Sequence, residues 1–256
     1  MSQHTLSTQG LGIRFGTYQA VNDVNLTLEP GARQALIGPN GAGKTTLINL
    51  LTGVYKPSAG RITLGGEDIT HLSCAQRARI GLVRTFQINT LFPSLTPLMS
   101  VVLAISERDG LGASWWRPLK TYTKVYDEAH ELLNRLRLDY LANVPVSELA
   151  YGKQRLLEIA LAMAAKPRIL LLDEPAAGVP QGESGELFEV VAELPEDISV
   201  LFIEHDMNLV FRFSRRISVL VAGQILIEGT SAEIGSDPRV REVYLGTGIY
   251  SGEAHV

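Results

Sequence analysis

The nine residues GPNGAGKTT, Gly38 to Thr46, constrain this chain more than any other stretch. They fit G-x-x-x-x-G-K-[ST] and stand between an apolar strand-like run, ARQALI, and a helix-like run, LINLL. That context is the one a phosphate-binding loop requires. The glycines Gly38, Gly41 and Gly43 let successive backbone N–H groups of the loop, with those of Asn40 and Ala42, turn inward. The N-terminus of the following helix adds its partial positive charge. Lys44 is placed to reach the β- and γ-phosphates, and the hydroxyl of Thr45, followed by Thr46, is placed to ligate Mg²⁺. The chemistry predicted is nucleoside triphosphate binding on a strand, loop, helix unit.

The rest of the chain agrees with an α/β class. The runs LGIRF, VNLTLEPG and ARQALIG read as strands, and a helix is predicted from about Lys44 to Leu51. From about residue 97 to 165 the pattern is mainly helical. In TYTKVYDEAHELLNRLRL the residues Val125, His130, Leu132, Leu133 and Leu136 recur at helical spacing, so His130 reads as part of a helix face rather than as a ligand. After residue 167 come two continuous apolar runs, RILLLDEP and SVLFIEHD, as parallel strands buried on both faces would show. RISVLVAGQILIEGT reads as a hairpin turning at Ala222-Gly223. The expected organisation is an α/β core interrupted by a helical insertion near 88–151, with a short helical tail from about 231.

With 256 residues and 45% hydrophobic content the chain supports a sizeable core, and its formal charge of −4 argues against a nucleic-acid partner. A single cysteine, Cys74, excludes an internal disulfide and most cysteine metal sites. The polar start MSQHTLSTQG carries no secretory signal, so a cytoplasmic protein is expected. No charge occurs from Thr85 to Ser106, but Pro93, Pro97, Gln87 and Asn89 make this stretch a poor membrane span, and it reads better as a surface for an apolar partner.

Further candidates follow from the strands. Asp173 and Glu174 end RILLLDEP, a strand expected to finish beside the phosphate loop. Asp173 would hold Mg²⁺ directly or through water; Glu174, just past it, would polarise the attacking water as general base. Without the loop, the same two acids would read equally well as a helix cap. His205 ends SVLFIEHD, where an imidazole could hydrogen-bond the γ-phosphate. Gln87, at the junction of core and insertion, has an amide able to contact Mg²⁺ or the water.

In this order GPNGAGKTT, TFQ, LAYGKQR, RILLLDEP and IEHD resemble the Walker A, Q-loop, signature, Walker B and switch-histidine motifs of the ATP-binding cassette family, over essentially the whole chain. The resemblance implies an ATPase using ATP and Mg²⁺. Its fold would be a P-loop core with an N-terminal antiparallel β region and an inserted helical subdomain. The divisions would be 1–87 with 152–230, 88–151, and a tail of 231–256. It implies that Phe15 stacks on adenine, and that Ala150, Tyr151 and Gly152 close over ATP held by a second cassette. Where the family has L-S-G-G-Q, this chain has Ala150 for serine, Tyr151 for glycine and Lys153 for glutamine. The lost hydroxyl removes a hydrogen bond to a charged phosphate worth about 1.5–3 kcal/mol, for which Lys153 could compensate. Pro180 stands where the D-loop usually has an acidic or amide residue. The two departures together imply two unequal nucleotide sites.

Within the family, LAYGKQRLLEIA, DEPAAG, IEHDMNLV and DPRVREVYLG resemble the branch that serves branched-chain amino-acid importers. This implies a second ATPase subunit, in a heterodimer or homodimer, two membrane permeases, an extracytoplasmic substrate-binding protein, and a peripheral position on the cytoplasmic face of the membrane. The alternatives are a lipopolysaccharide-export ATPase, which usually keeps L-S-G-G and lacks the long insertion, and a non-transport cassette, which usually has fused cassettes or a basic surface.

Overall fold

The computed structural model describes residues 5–85, 91–111 and 123–245. The chain forms two compact units, one from residues 1–74 with 199–256 and the other from 75–198. The helical insertion expected at 88–151 lies inside the second.

In the first unit, β1 (Leu6–Phe15) pairs antiparallel with β2 (Tyr18–Val24), β3 (Thr27–Leu28) and β5 (Ala59–Leu64), and β5 pairs with β6 (Glu67–Asp68). β1 is longer than LGIRF because its first half pairs with β3 and β5 and its second half with β2, with register shifts between. The single strand expected from VNLTLEPG is divided. The Thr8 hydroxyl accepts from Leu26 N and donates to Val24 O, at 2.9 and 2.8 Å, while Asp23 turns the chain with φ 52°. Those side-chain bonds replace ladder bonds and separate β2 from β3.

A second set of strands in this unit places β4 (Arg33–Ile37) between β9 (Ser199–Ile203) and β10 (Arg216–Val221), parallel to both. β4 and β9 are buried along their whole length, which is why both read as apolar runs rather than alternating ones. Gln34 is accommodated because its amide donates to Ser218 Oγ at 2.7 Å, and Ser218 donates to Glu228 Oε1 at 2.6 Å. β10 turns at Ala222 (φ 48°) and Gly223 (φ 80°) into β11 (Gln224–Gly229), the expected hairpin with both turn residues at positive φ. Helix α1 (Lys44–Thr52) follows β4, and α7 (Met207–Phe213) follows β9. The tail begins at α8 (Ser231–Ser236), with a capping box between Thr230 and Glu233, and continues in α9 (Pro238–Leu245).

The second unit begins within α2 (Cys74–Arg79) and pairs β7 (Leu82–Arg84) parallel with β8 (Ile169–Asp173). The unit also contains α3 (Pro97–Arg108), α4 (Thr123–Arg135), α5 (Tyr151–Ala164) and α6 (Gln181–Ala192); α3, α4 and α5 pack on one another, and α6 packs on α5. α3 starts with Pro97 in its first turn and Thr96 accepting from Met99 N at 3.2 Å. On α4 the buried positions are Val125, Ala129 and Leu133, continued by Leu136. The face is therefore displaced from the expected one: Ala129 takes the place given to His130, which is exposed, and Leu132 is only half-buried. No helix among the described residues is long and apolar enough to cross a membrane; the uncharged stretch instead ends in α3.

Candidate nucleotide site

In the first unit, β4 ends at Ile37 and the chain turns through Gly38 (φ 155°), Gly41 (φ 78°) and Gly43 (φ 103°) into α1. The glycines answer to contacts. A Cβ on Gly38 would lie 2.1 Å from the Leu220 carbonyl oxygen, and one on Gly43 2.5 Å from that of Ala20. The loop is also tied to the hairpin, since Gly223 N donates to Ala42 O at 2.9 Å and Asn22 N donates to Gly223 O at 2.8 Å. Lys44 is buried, and its ammonium donates to the carbonyls of Gly38 and Pro39 at 2.7 and 3.1 Å. Gly43 caps α1 without a side chain, so the first amides of the helix have no side-chain acceptor of their own. An inward-held ammonium at an uncapped helix start suits a phosphate. Asn40, Gly41 and Thr45 are exposed, Ala42 is buried, and Thr46 is half-buried.

Two other predicted residues belong to this unit. β9 runs parallel to β4 with Ile203 opposite Leu36, so His205 and Gly38 leave the same edge of the strands. His205 is exposed, and its backbone N–H donates to the Glu204 carboxylate at 3.1 Å. Phe15, at the end of β1, is 45% exposed for a large aromatic, and its ring meets Tyr55 edge-on with centroids 5.4 Å apart. Tyr55 and the exposed Tyr18 extend this aromatic surface. The sequence reading passed over Tyr55, whose only signal was an aromatic just past the glycine that ends α1.

The second unit carries the other predicted residues. Asp173 ends β8 with its side chain fully buried, and Arg84 of β7 donates to it from Nη2 to Oδ2 at 2.5 Å. Arg84 was missed, although a charge ending so short an apolar strand was itself a signal. Glu174 follows at φ 50°, the left-handed region that a non-glycine residue seldom occupies and that recurs at functional sites. Gln87 lies outside the described residues. Each taken within its own unit, the exposed hydroxyl of Thr45 and the carboxylate of Asp173 are hard oxygen donors of the kind that suits Mg²⁺.

Ala150 caps α5 and offers no side-chain bond to its first amides. Tyr151 opens the helix, and its ring lies against Gly178, where a Cβ would come within 3.2 Å of it. Gly152 is equally hemmed in, since a Cβ there would lie 2.5 Å from Glu183 Oε2. The compensating charge expected of Lys153 is engaged inside the chain: its ammonium donates to Glu186 Oε1 of α6 at 2.7 Å. Pro180 caps α6 with no side-chain bond, its carbonyl accepting from Glu183 N at 2.8 Å. Replacing Ala150 by serine is expected to supply the missing cap and stabilise the chain by about 1 kcal/mol in urea unfolding. An unchanged midpoint would mean that the α5 amides are already satisfied.

Comparison with known proteins finds two matching families. The family described as ABC transporter matches residues 21–177, and that described as branched-chain amino acid ATP-binding cassette transporter matches 224–250. The high-affinity branched-chain amino acid transport ATP-binding protein LivG of Escherichia coli (strain K12) is 45% identical over 253 residues, covering 96% of this chain and 99% of its own. An ATP-binding cassette of an ABC transporter in its ADP conformation is similar with a TM-score of 0.84 and 33% identity, over 96% of this chain and 100% of its own. A dimeric bacterial ABC transporter cassette gives a TM-score of 0.72 and 25% identity, over 88% and 98%.

Proposed function

Because the chain belongs to the ABC transporter family and is one of its ATP-binding, ATP-hydrolysing cassettes, we propose that it drives a membrane importer of branched-chain amino acids from the cytoplasmic face of the membrane. The observation that carries the nucleotide reading is the Lys44 ammonium, buried and held by the loop carbonyls at the uncapped start of α1. The substrate class rests on the likeness to LivG along nearly the whole chain and on the family match at 224–250.

In this reading the loop from Gly38 to Thr46 holds the phosphates, Phe15 stacks on adenine, and Thr45, Asp173 and Gln87 hold Mg²⁺, which would screen charge on the transferred phosphoryl group. Glu174 takes a proton from the attacking water, and His205 hydrogen-bonds the γ-phosphate. Ala150, Tyr151 and Gly152 close over the nucleotide of a second cassette through backbone amides at the start of α5. The likeness to a dimeric cassette supports that pairing. Two unequal cassettes fit this chain's altered signature, with Lys153 occupied by Glu186 and Pro180 lacking a polar side chain. Phe92, in the loop ahead of α3, and Met99 and Leu103 on that helix are exposed, and would offer the apolar surface on which a permease seats.

The test is to tag the chain, solubilise membranes of its native host and identify what copurifies by mass spectrometry. Two hydrophobic permeases and a second cassette are expected, with leucine uptake lost when the chain is deleted. Ribosomal or DNA-repair proteins in their place would leave an ATPase and remove the transport role.

A further inference from the structure

Tyr151 stands where the family signature usually has glycine, and its side chain is engaged within its own unit. Its hydroxyl accepts from Arg155 Nη2 at 2.6 Å, and the guanidinium lies 5.0 Å from the ring centre. Arg155 Nη1 in turn donates to Glu158 Oε2 at 2.7 Å. Positions 151, 155 and 158 follow the i, i+4, i+7 spacing that lines up one face of a helix, so the three groups run along α5 away from the signature. Both charged side chains are at least nine-tenths buried.

A buried ion pair of this kind is seldom retained for stability alone, because apolar residues of the same volume usually serve as well. Arg155 Nε and Glu158 Oε1 are moreover buried without a hydrogen-bond partner among the described residues. Both residues line a small cavity whose other walls are Thr85, Ile159, Asp173 and Pro175. It has room for about one water, and a donor and an acceptor left open beside a carboxylate are what hold an internal water in place. Burial raises the pKa of Glu158, opposed by its bond to Arg155, in keeping with a carboxylate shut away from solvent.

We infer that Tyr151, Arg155 and Glu158, completed by one internal water, are positioning residues that connect the signature end of α5 to Asp173 and hold that carboxylate in its metal-binding orientation. Substituting tyrosine for the signature glycine thus gives this chain a side-chain connection that a glycine could not make. Engagement of the signature by a second cassette's nucleotide would be felt at this chain's own metal ligand. The inference rests on the reading of Asp173 as a Mg²⁺ ligand.

The test uses the full chain and a fluorescent ATP analogue, whose affinity is measured in Mg²⁺ and in excess chelator. The ratio of the two is the readout. Asp173→Asn should collapse the ratio. Tyr151→Phe, which removes only the hydroxyl, and Glu158→Gln should each lower it about fivefold, the effect of roughly one hydrogen bond. The double variant should fall no further than either single one, as members of one network do. A merely structural role would lower both affinities together and leave the ratio unmoved. If Asp173→Asn changes the ratio and the other variants do not, the network is overturned while the metal reading stands. If Asp173→Asn also leaves it unchanged, the metal reading falls and takes the network with it.

Discussion

Glu174→Gln is expected to bind ATP and to hydrolyse it about 10²–10⁴-fold more slowly, the range over which a positioned general base contributes. The amide keeps the size and much of the hydrogen bonding of the carboxylate but cannot accept the water's proton. Asp173, its neighbour, is engaged by Arg84 and fully buried, which suits it less to this task. Glu174 instead leaves β8 at φ 50°, a conformation whose cost of about 1–3 kcal/mol is tolerated where it aims a functional side chain. With hydrolysis blocked, ATP should accumulate in a closed pair of cassettes. Single-turnover hydrolysis and size-exclusion chromatography with ATP check both parts. Normal turnover in the glutamine variant would remove Glu174 from the chemistry.

Lys44→Ala should lower ATP affinity by about 10–100-fold, the equivalent of one charge-assisted hydrogen bond at 1.5–3 kcal/mol. The ammonium is already drawn into the loop by the Gly38 and Pro39 carbonyls, so little ordering of the side chain remains when phosphate arrives. The same contacts predict a second effect: alanine leaves the Gly38 carbonyl without its donor and the Pro39 carbonyl with only the Ala42 amide, and the nucleotide-free chain should unfold at lower urea concentration. Titration calorimetry and urea unfolding measure the two separately. Unchanged affinity would mean that the phosphates are held by backbone amides alone.

Much of this was legible in the sequence because the responsible features are local. The phosphate loop follows from its glycines and Lys44, the hairpin from Ala222-Gly223, and the buried strands β4, β8 and β9 from their unbroken apolar runs. What was not legible depends on partners distant in sequence. Nothing near Arg84 announces Asp173, and nothing near Lys153 announces Glu186. Spacing alone could not choose Ala129 over His130 on α4, because adjacent positions fit the helical period almost equally and packing decides between them. Tyr151 and Arg155 stand four apart on one helix, a spacing that brings side chains together, but the contact of Tyr151 with Gly178 requires the fold.

The tie between the phosphate loop and the hairpin bears on the order in which the protein is made. The loop belongs to the first fifth of the chain, yet the amide that secures Ala42 comes from Gly223, near its end. The Leu220 carbonyl that closes over Gly38 is equally late. A ribosome that has just released GPNGAGKTT has delivered the motif without its frame. The growing polypeptide acquires the framed loop only as β10 and β11 emerge.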